Sequence, residues 1–449
     1  MRIAELDWRG RDEAREDLVI TRASVLDPRA GIDATHDVVI RGGEIAELCE
    51  PGGASVEGAE VIDGEGMHVF PAFFDPHVHL RTPGQENAED VETGSRAAAA
   101  GGYCGILAMA NTEPPVDSAA DISALRERAA SEASVPVGFL ACVTRAMAGE
   151  ELSEMAELRA AGAVGFSDDG LPVRSARVLR RALQYQRLAG GNIALHEEDP
   201  GLSGSGVMHE GPVSAMLGME AIPSVSESTM IARDAALAAY EAARIHVQHL
   251  SARESVEVMA AAKERGVAIT CEATPHHLVL TDEEVRSLDA RYKMNPPLRS
   301  EGDRQALIDA LRAGTIDCVA TDHAPHPLET KEVPFEEAAM GVTGLETAFA
   351  VLHNELVLPG VLDLSTLVER MSAGAEPFDL EPPTLAPGGD ANLVLFDPRA
   401  DWEAGADGWE SRSENSCFAG RSLTGRILMT IAGGAVAYRQ REFAIGAAS

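Results

Sequence analysis

Residues 73–81 read FFDPHVHLR, a short apolar run that closes on His77 and His79. Side chains two apart on a strand share a face, so the two imidazoles project together where the strand stops. Such a pair suits a metal ion held at the mouth of a barrel. His-x-His alone is a weak motif, because two unrelated surface histidines look the same in sequence. Its weight depends on what ends the later apolar runs.

Seven further runs follow: GYCGILAMA, VPVGFLACV, AVGFSDD, NIALH, IHVQHL, VAITCEATP and CVATDHAP. Most are separated by Ala-, Leu-, Glu- and Arg-rich stretches with helical periodicity, such as DISALRERAASEA and SARESVEVMAAAKERG. Eight strand–helix repeats predict a parallel (β/α)8 barrel, an α/β fold, over residues 71–387. Residues 18–70 have another texture, with short strands such as DLVITRASVLDP and HDVVIRGGEIAEL between Gly-, Asp- and Pro-rich turns. Residues 388–449 repeat it in ANLVLFDP and GRILMTIAGGAVAY. Antiparallel β structure is expected in both, and segments 1–70 and 388–449 are expected to form one small composite β-sandwich domain. The first ~16 residues read as a charged extension without a clear role. The Gly/Ser-rich and then polar stretch 200–231 reads as an insertion above the barrel.

The chain has 449 residues and a net charge of −35, with 72 acidic against 37 basic side chains. A surface this acidic repels nucleic acid and anionic membranes. There is no transmembrane run and no secretory signal, so the expected location is the cytoplasm. The six cysteines include no CxxC pair and read as reduced core thiols.

Several strand ends turn polar in register. Strand one ends in His77 and His79, strand four in Asp168 and Asp169, strand five in His196, strand six in His249 and strand eight in Asp322. Core packing gives no reason for such endings. Two metal ions need about four ligands each, some shared. His77, His79, His196, His249 and Asp322 supply five. A bridging carboxylate would be the sixth; related barrels often use a carboxylated lysine, but AVGFSDDG has none, so one of the two aspartates must serve. Alternation disfavours both facing the pore, and the DDG step also reads as an ordinary turn. By the same alternation only one of His246 and His249 is a ligand, and His323 points away from the pore. His276 and His277 read as loop or supporting residues.

Two close divalent ions make hydroxide available near neutral pH and polarise a carbonyl, which suits hydrolysis of an amide or cyclic amide. Asp322 is the candidate general acid–base. Arg81, Asn111 and His326 follow strands one, two and eight and are candidate contacts for a substrate carboxylate. Each has a plainer reading as a surface arginine, a helix cap and a loop-orienting histidine.

The segments DPHVHLRTPGQENAEDVETGSRAAAAGGY, MANTEPPVD, GAVGFSDDG, LHEED, KMNPPLRS, ATDHAPH and GVTGLETAF together resemble bacterial dihydroorotases of the amidohydrolase superfamily, of the aspartate-bridged type. The resemblance spans nearly the whole chain after residue ~18 and implies the barrel with a composite β-sandwich. It implies His77 and His79 on one metal, His196 and His249 on the other, Asp169 as the bridge and Asp322 as ligand and acid–base. It assigns Arg81, Asn111 and His326 to the substrate carboxylate, with Asn295 and the Met340–Gly341 backbone as further pocket positions. Zn²⁺, two ions per subunit, is the implied cofactor, and Mn²⁺ or Co²⁺ suit the same donors. Ala110 stands where the family usually has proline, and Glu197 where cysteine is frequent; neither removes a ligand. The implied reaction is the reversible cyclisation of N-carbamoyl-L-aspartate to L-dihydroorotate. The competing readings are an allantoinase- or hydantoinase-like cyclic amidohydrolase and a non-catalytic partner of aspartate carbamoyltransferase. Family members of the latter kind have lost metal ligands, and this chain has all six. The partner expected first is a small-molecule substrate; a homo-oligomer and a complex with aspartate carbamoyltransferase are both compatible with the sequence.

Overall fold

The computed structural model describes residues 1–11 and 15–440. Five strands come first: β1 (Leu18–Asp27), β2 (Ile32–Arg41), β3 (Glu44–Cys49), β4 (Glu60–Asp63) and β5 (His68–Pro71). The barrel strands begin with β6 (Phe73–Val78), β7 (Tyr103–Ala108), β8 (Val137–Ala141), β9 (Gly165–Ser167) and β10 (Ile193–Leu195). A two-stranded pair, β11 (Met208–His209) and β12 (Ala221–Ile222), lies in the insertion. The barrel resumes with β13 (Ile245–Val247), β14 (Ile269–Ala273) and β15 (Cys318–Val319), and the chain returns through β16 (Leu393–Glu403), β17 (Ser422–Ala432) and β18 (Ala435–Arg439).

The barrel strands follow one another in chain order and pair in parallel from β6 to β15. Closure comes just past β15, where Val78 bridges His323 and the His79 N–H donates to the His323 carbonyl at 2.9 Å. All eight apolar runs of the sequence are these eight strands. They are buried along nearly their whole length, as expected of a parallel sheet covered by helices. The helices start where short polar side chains can cap them. Asp90 and Ser118 each form a reciprocal capping box, for helices Val91–Ala100 and Ala119–Glu132.

The two ends of the chain meet in one mixed sheet, in the order β18-β17-β16-β5-β1-β2-β3, with β4 on the other half of β1. The join is antiparallel, Leu393 opposite Pro71. Purely antiparallel pairing was the expectation; β4 and β5 instead run parallel to β1. Both follow the β2–β3 hairpin and reach β1 by a crossover, which makes them parallel. A bulge between Ile20 and Ala23, with Arg22 at φ 58°, lets β1 pair β4 with its first half and β5 with its second. The sheet thereby wraps a core of its own around Val25, Ile40, Val69, Leu393 and Met429.

The opening segment has a packing role that its composition hides. Ile3, Leu6 and Trp8 are buried in the barrel core, and Asp7 bridges Val137, whose N–H donates to the Asp7 carbonyl at 3.0 Å. Three apolar side chains spaced among charges close the barrel's underside, against β8. At the opposite end, Met208 and Val213 of the insertion pack with Leu280, Met294, Leu298 and Phe335 over the loops that follow β14 and β15. Among the described residues no helix is long and apolar enough to cross a membrane.

Candidate metal centre

The polar strand ends converge above the barrel. Asp169 lies at the middle, one residue into the turn that begins at Asp168. Its Oδ2 is 3.5 Å from His77 Nε2 and 3.4 Å from His79 Nε2. Its Oδ1 faces the other way, 3.6 Å from His249 Nε2 and 3.8 Å from His196 Nδ1. Asp322 Oδ1 closes the first half, 3.0 Å from His79 Nε2 and 3.4 Å from His77 Nε2. All six residues are buried.

The DDG step separates cleanly. Asp168 turns away and accepts from the Val143 and Thr144 amides at 2.8 and 3.1 Å and from the Thr144 hydroxyl at 2.5 Å. It ties the end of β9 to the end of β8, which is the turn reading. Asp169 alone faces the histidines.

Each His-x-His imidazole is oriented through its Nδ1. His77 Nδ1–H donates to Glu272 Oε1 at 2.6 Å, and His79 Nδ1–H donates to Asn111 Oδ1 at 2.9 Å. Both Nε2 atoms are thereby aimed at the carboxylates, and each becomes a metal ligand by giving up its proton while Nδ1–H keeps the ring in place. Glu272 also accepts from His246 Nε2 at 3.0 Å and from the His249 amide at 3.2 Å. His246 therefore lies behind the ligands, and it holds Thr270 Oγ1 through Nδ1 at 2.8 Å. His323 faces Glu89 at 3.2 Å, outside the cluster. His277 is held by Thr274 and the Pro296 carbonyl, at 2.8 and 2.9 Å. His276 is buried near Asp322, His249 and His77, and its Nε2 has no hydrogen-bond partner.

Charge compensation here is internal. Burial pushes the Asp169 carboxyl up, but His77 and the nearby His249 outweigh it and hold it well below the ordinary range. Asp322 is likewise lifted by burial and pulled lower by His77 and His79. Burial works against a charged His77, yet Asp169, Glu272 and Asp322 together raise it. Backbone strain concentrates at the same place: Arg81, His249 and Asp322 have φ of 54°, 35° and 47°, which non-glycine residues seldom adopt.

The substrate-side residues form a second group beside the first. Arg81 donates through Nε to the Pro325 carbonyl at 3.2 Å, and its terminal nitrogen lies 3.4 Å from His326 Nε2. His326 donates Nε2–H to the Met340 carbonyl at 2.8 Å. Burial, and then Arg81, push His326 down to about 3, so it is neutral at pH 7. Asn111 lies between the two groups; besides holding His79, it donates to the Asp169 carbonyl at 3.2 Å. Asn295 donates to Glu198 Oε2 at 2.7 Å, and its own buried Oδ1 has no partner.

Three contributors are not among the residues singled out from sequence. Glu272 is one, marked in hindsight as a lone acid inside an apolar strand. Glu198 is another, 3.4 Å from His196 Nε2 and bonded to Asn295. The third is Asn415, from the segment between β16 and β17. It accepts from the His326 amide at 3.0 Å and donates to the Ala324 and Gly341 carbonyls at 3.2 and 3.1 Å. No local pattern marks Asn415.

The donor set fits divalent cations. Imidazole and carboxylate are ligands that such ions accept. His77, His79 and Asp322 offer ligand atoms within 4.8 Å of one another, as do His77, Asp169 and His249. Asp169 Oδ1 is buried with no hydrogen-bond donor, an arrangement that is costly unless a cation faces it.

The dihydro-orotase-like family model matches residues 66–255. The dihydroorotase of Solibacter usitatus (strain Ellin6076) is 44% identical over 426 residues, covering 95% of this chain and 99% of the relative. The chain belongs to the dihydroorotase family. The dihydroorotase of Geobacter sp. (strain M21) is 45% identical over 423 residues, 94% of this chain and 99% of that protein. Among solved structures, the L-hydantoinase of Arthrobacter aurescens superposes with a TM-score of 0.83 at 26% identity, over 94% of this chain and 96% of its own. The dihydropyrimidinase of Brevibacillus agri NCHU1002, at 24% identity and TM-score 0.81, shares the fold over 94% of this chain and 95% of its own. Family membership makes this a metal-dependent cyclic amidohydrolase.

Proposed function

We propose that the chain interconverts N-carbamoyl-L-aspartate and L-dihydroorotate, a step of pyrimidine synthesis, with two Zn²⁺ ions held by His77, His79, His196, His249, Asp169 and Asp322. Mn²⁺ or Co²⁺ would suit the same donors. The observation that carries the reading is Asp169, whose two oxygens face two separate histidine pairs. When bound, the ions supply Lewis acidity toward the ring carbonyl and lower the pKa of water.

The chain's own residues do the rest. Arg81, with Asn111 and His326, holds the substrate carboxylate; Arg81 commits Nε to Pro325 and keeps its terminal nitrogens for the anion. Neutral His326 gives its single N–H to the Met340 carbonyl, which fixes the Met340–Gly341 turn beside the anion, and it holds the carboxylate when that N–H turns onto it. The orphan Asn295 Oδ1 is an acceptor for a ring N–H. Asp322, ionised at working pH, takes a proton from the attacking water and returns it to the departing ring nitrogen. In the cyclising direction the proton retraces that path. The catalytic unit in this reading is residues 71–387 with the opening segment packed against it, accompanied by the β-domain of strands β1–β5 and β16–β18, and the enzyme works in the cytoplasm on a free small molecule.

The test is a spectrophotometric assay of L-dihydroorotate hydrolysis by Zn²⁺-supplemented protein, with Asp322→Asn as control. Turnover that falls by about 10²–10⁴ in the control is expected for loss of a general acid–base. Absence of turnover in metal-loaded wild type would overturn the reading in favour of another cyclic amide.

A further inference from the structure

We propose that Lys331 is a positioning residue for the substrate-carboxylate pocket, holding the Met340–Gly341 turn against the Lys293–Asn295 segment through three backbone carbonyls. This inference rests on the functional reading above and adds to it a residue that is not one of the metal ligands. Lys331 ends the short helix Leu328–Lys331 and is 6% exposed. Among the described residues no carboxylate lies within ion-pairing distance of it. Its Nζ instead donates to the carbonyls of Ala339 at 2.8 Å, Gly341 at 2.8 Å and Lys293 at 3.1 Å.

An ammonium has three N–H donors and no acceptor, so these three carbonyls use it completely. They come from both sides of the pocket. Lys293 lies two residues before Asn295, and its carbonyl also accepts from the Gly341 amide at 3.0 Å. Gly341 follows Met340, whose carbonyl takes the His326 hydrogen bond. The Gly341 carbonyl is shared with Asn415 Nδ2 at 3.1 Å. The turn itself has no slack. Gly341 has φ 132°, and a Cβ there would lie 2.7 Å from Ala324 Cβ and 3.0 Å from His326 Nε2. Its placement is therefore set by what grips its carbonyls, and Lys331 is the charged grip.

The charge is needed and is held with difficulty. Burial above all, with Cys417 and Asp289 acting the other way and Lys293 adding to it, brings the Lys331 ammonium down to about 7. His326, on the adjoining loop, also feels this charge. The Lys293 ammonium is turned aside, over the Phe335 ring at 5.5 Å and onto the Glu336 carbonyl at 2.9 Å. A neutral amine offers two hydrogens and turns a lone pair on the third carbonyl, loosening the turn.

The experiment measures KM and kcat for L-dihydroorotate from pH 6 to 9 on metal-loaded wild type, Lys331→Met and Lys331→Arg, with bound metal and Tm recorded for each. The expected result is a wild-type KM that climbs as pH rises through about 7. Lys331→Met should show KM raised about 10- to 100-fold at low pH and flat with pH, with kcat within about 3-fold and metal content unchanged. Lys331→Arg keeps the charge at every pH, so its KM should not climb. A wild-type KM that is level across this range overturns the proposal, even if Lys331→Met fails to fold. So does a folded Lys331→Met with wild-type KM, or one that loses kcat, metal and Tm together. Metal-loaded wild type with no turnover overturns the functional reading instead, and this inference with it.

Discussion

Replacing Glu272 by glutamine separates the orientation of His77 from the charge behind it. Three donors converge on this fully buried carboxylate: His77 Nδ1–H at 2.6 Å, His246 Nε2–H at 3.0 Å and the His249 amide at 3.2 Å. His77 and His249 share Oε1, so glutamine can keep both by placing its single oxygen there. Its NH2 then meets His246 Nε2, which becomes an acceptor once His246 moves its proton to Nδ1, facing Thr270 Oγ1 at 2.8 Å. Shape and bonding survive, and the negative charge is lost. A hydrogen bond to a charged group contributes about 1.5–3 kcal/mol against about 0.5–1.5 for a neutral one, a difference of about 1–1.5 kcal/mol. That converts to about a tenfold weaker metal affinity, at the lower end of the 10- to 100-fold range for residues supporting metal ligands. Glu272→Ala leaves three buried donors unpaired and should cost more, in both affinity and folding. The assay is titration of metal-free protein with Zn²⁺ against a chromophoric chelator, beside thermal melts of the metal-free forms. Folded Glu272→Gln with wild-type zinc affinity would refute the reasoning, because His77 would then need no charged support.

Gly341→Ala should raise KM with little change in kcat, since its Cβ would press on Ala324 and His326 at a φ of 132°; equal KM values for the two proteins would count against the rigid turn. Trp8→Ala should cost about 3–5 kcal/mol, the usual range for deleting a buried tryptophan, and urea unfolding reads this directly. Acid should destabilise metal-free protein through Glu272. Burial raises its pKa, but His77 and His246 outweigh that and bring the folded value to about 2, below the ordinary glutamate value. The contribution is present above the unfolded pKa and is lost as pH falls toward about 2, and Glu272→Gln should flatten the loss in melts taken across that window.

Most of the barrel was legible in the sequence for a physical reason. A strand buried on both faces must be a short apolar run, and a site at its C-terminal end must interrupt that run with a polar residue. His77, His196, His249 and Asp322 carry this signal one strand at a time. Asp168 and Asp169 could not be told apart by alternation, because the choice depends on where Val143 and Thr144 place their amides. Glu272 stood in plain view inside VAITCEATP, yet its meaning rests on His77, which reaches it only once the barrel closes. Ile3, Leu6 and Trp8 follow no period, so their role appears only when the barrel's underside exists to receive them. Asn415 sits in a Ser-rich stretch that reads as a loop, and nothing local says that the loop crosses to the substrate side.

The junction of β5 with β16 bears on how the chain is made. Strands β1 to β5 leave the ribosome first, but the neighbour of β5, β16, is made only after the whole barrel. At about 5–20 residues per second the interval is on the order of tens of seconds. Throughout it β5 has an open edge, with Val69 and Phe70 awaiting their partners, Leu395 and Val394. The nascent protein must therefore keep an adhesive strand from the wrong neighbours until synthesis is almost complete, and its yield in the cell should depend on chaperone supply more than the stability of the finished fold would suggest.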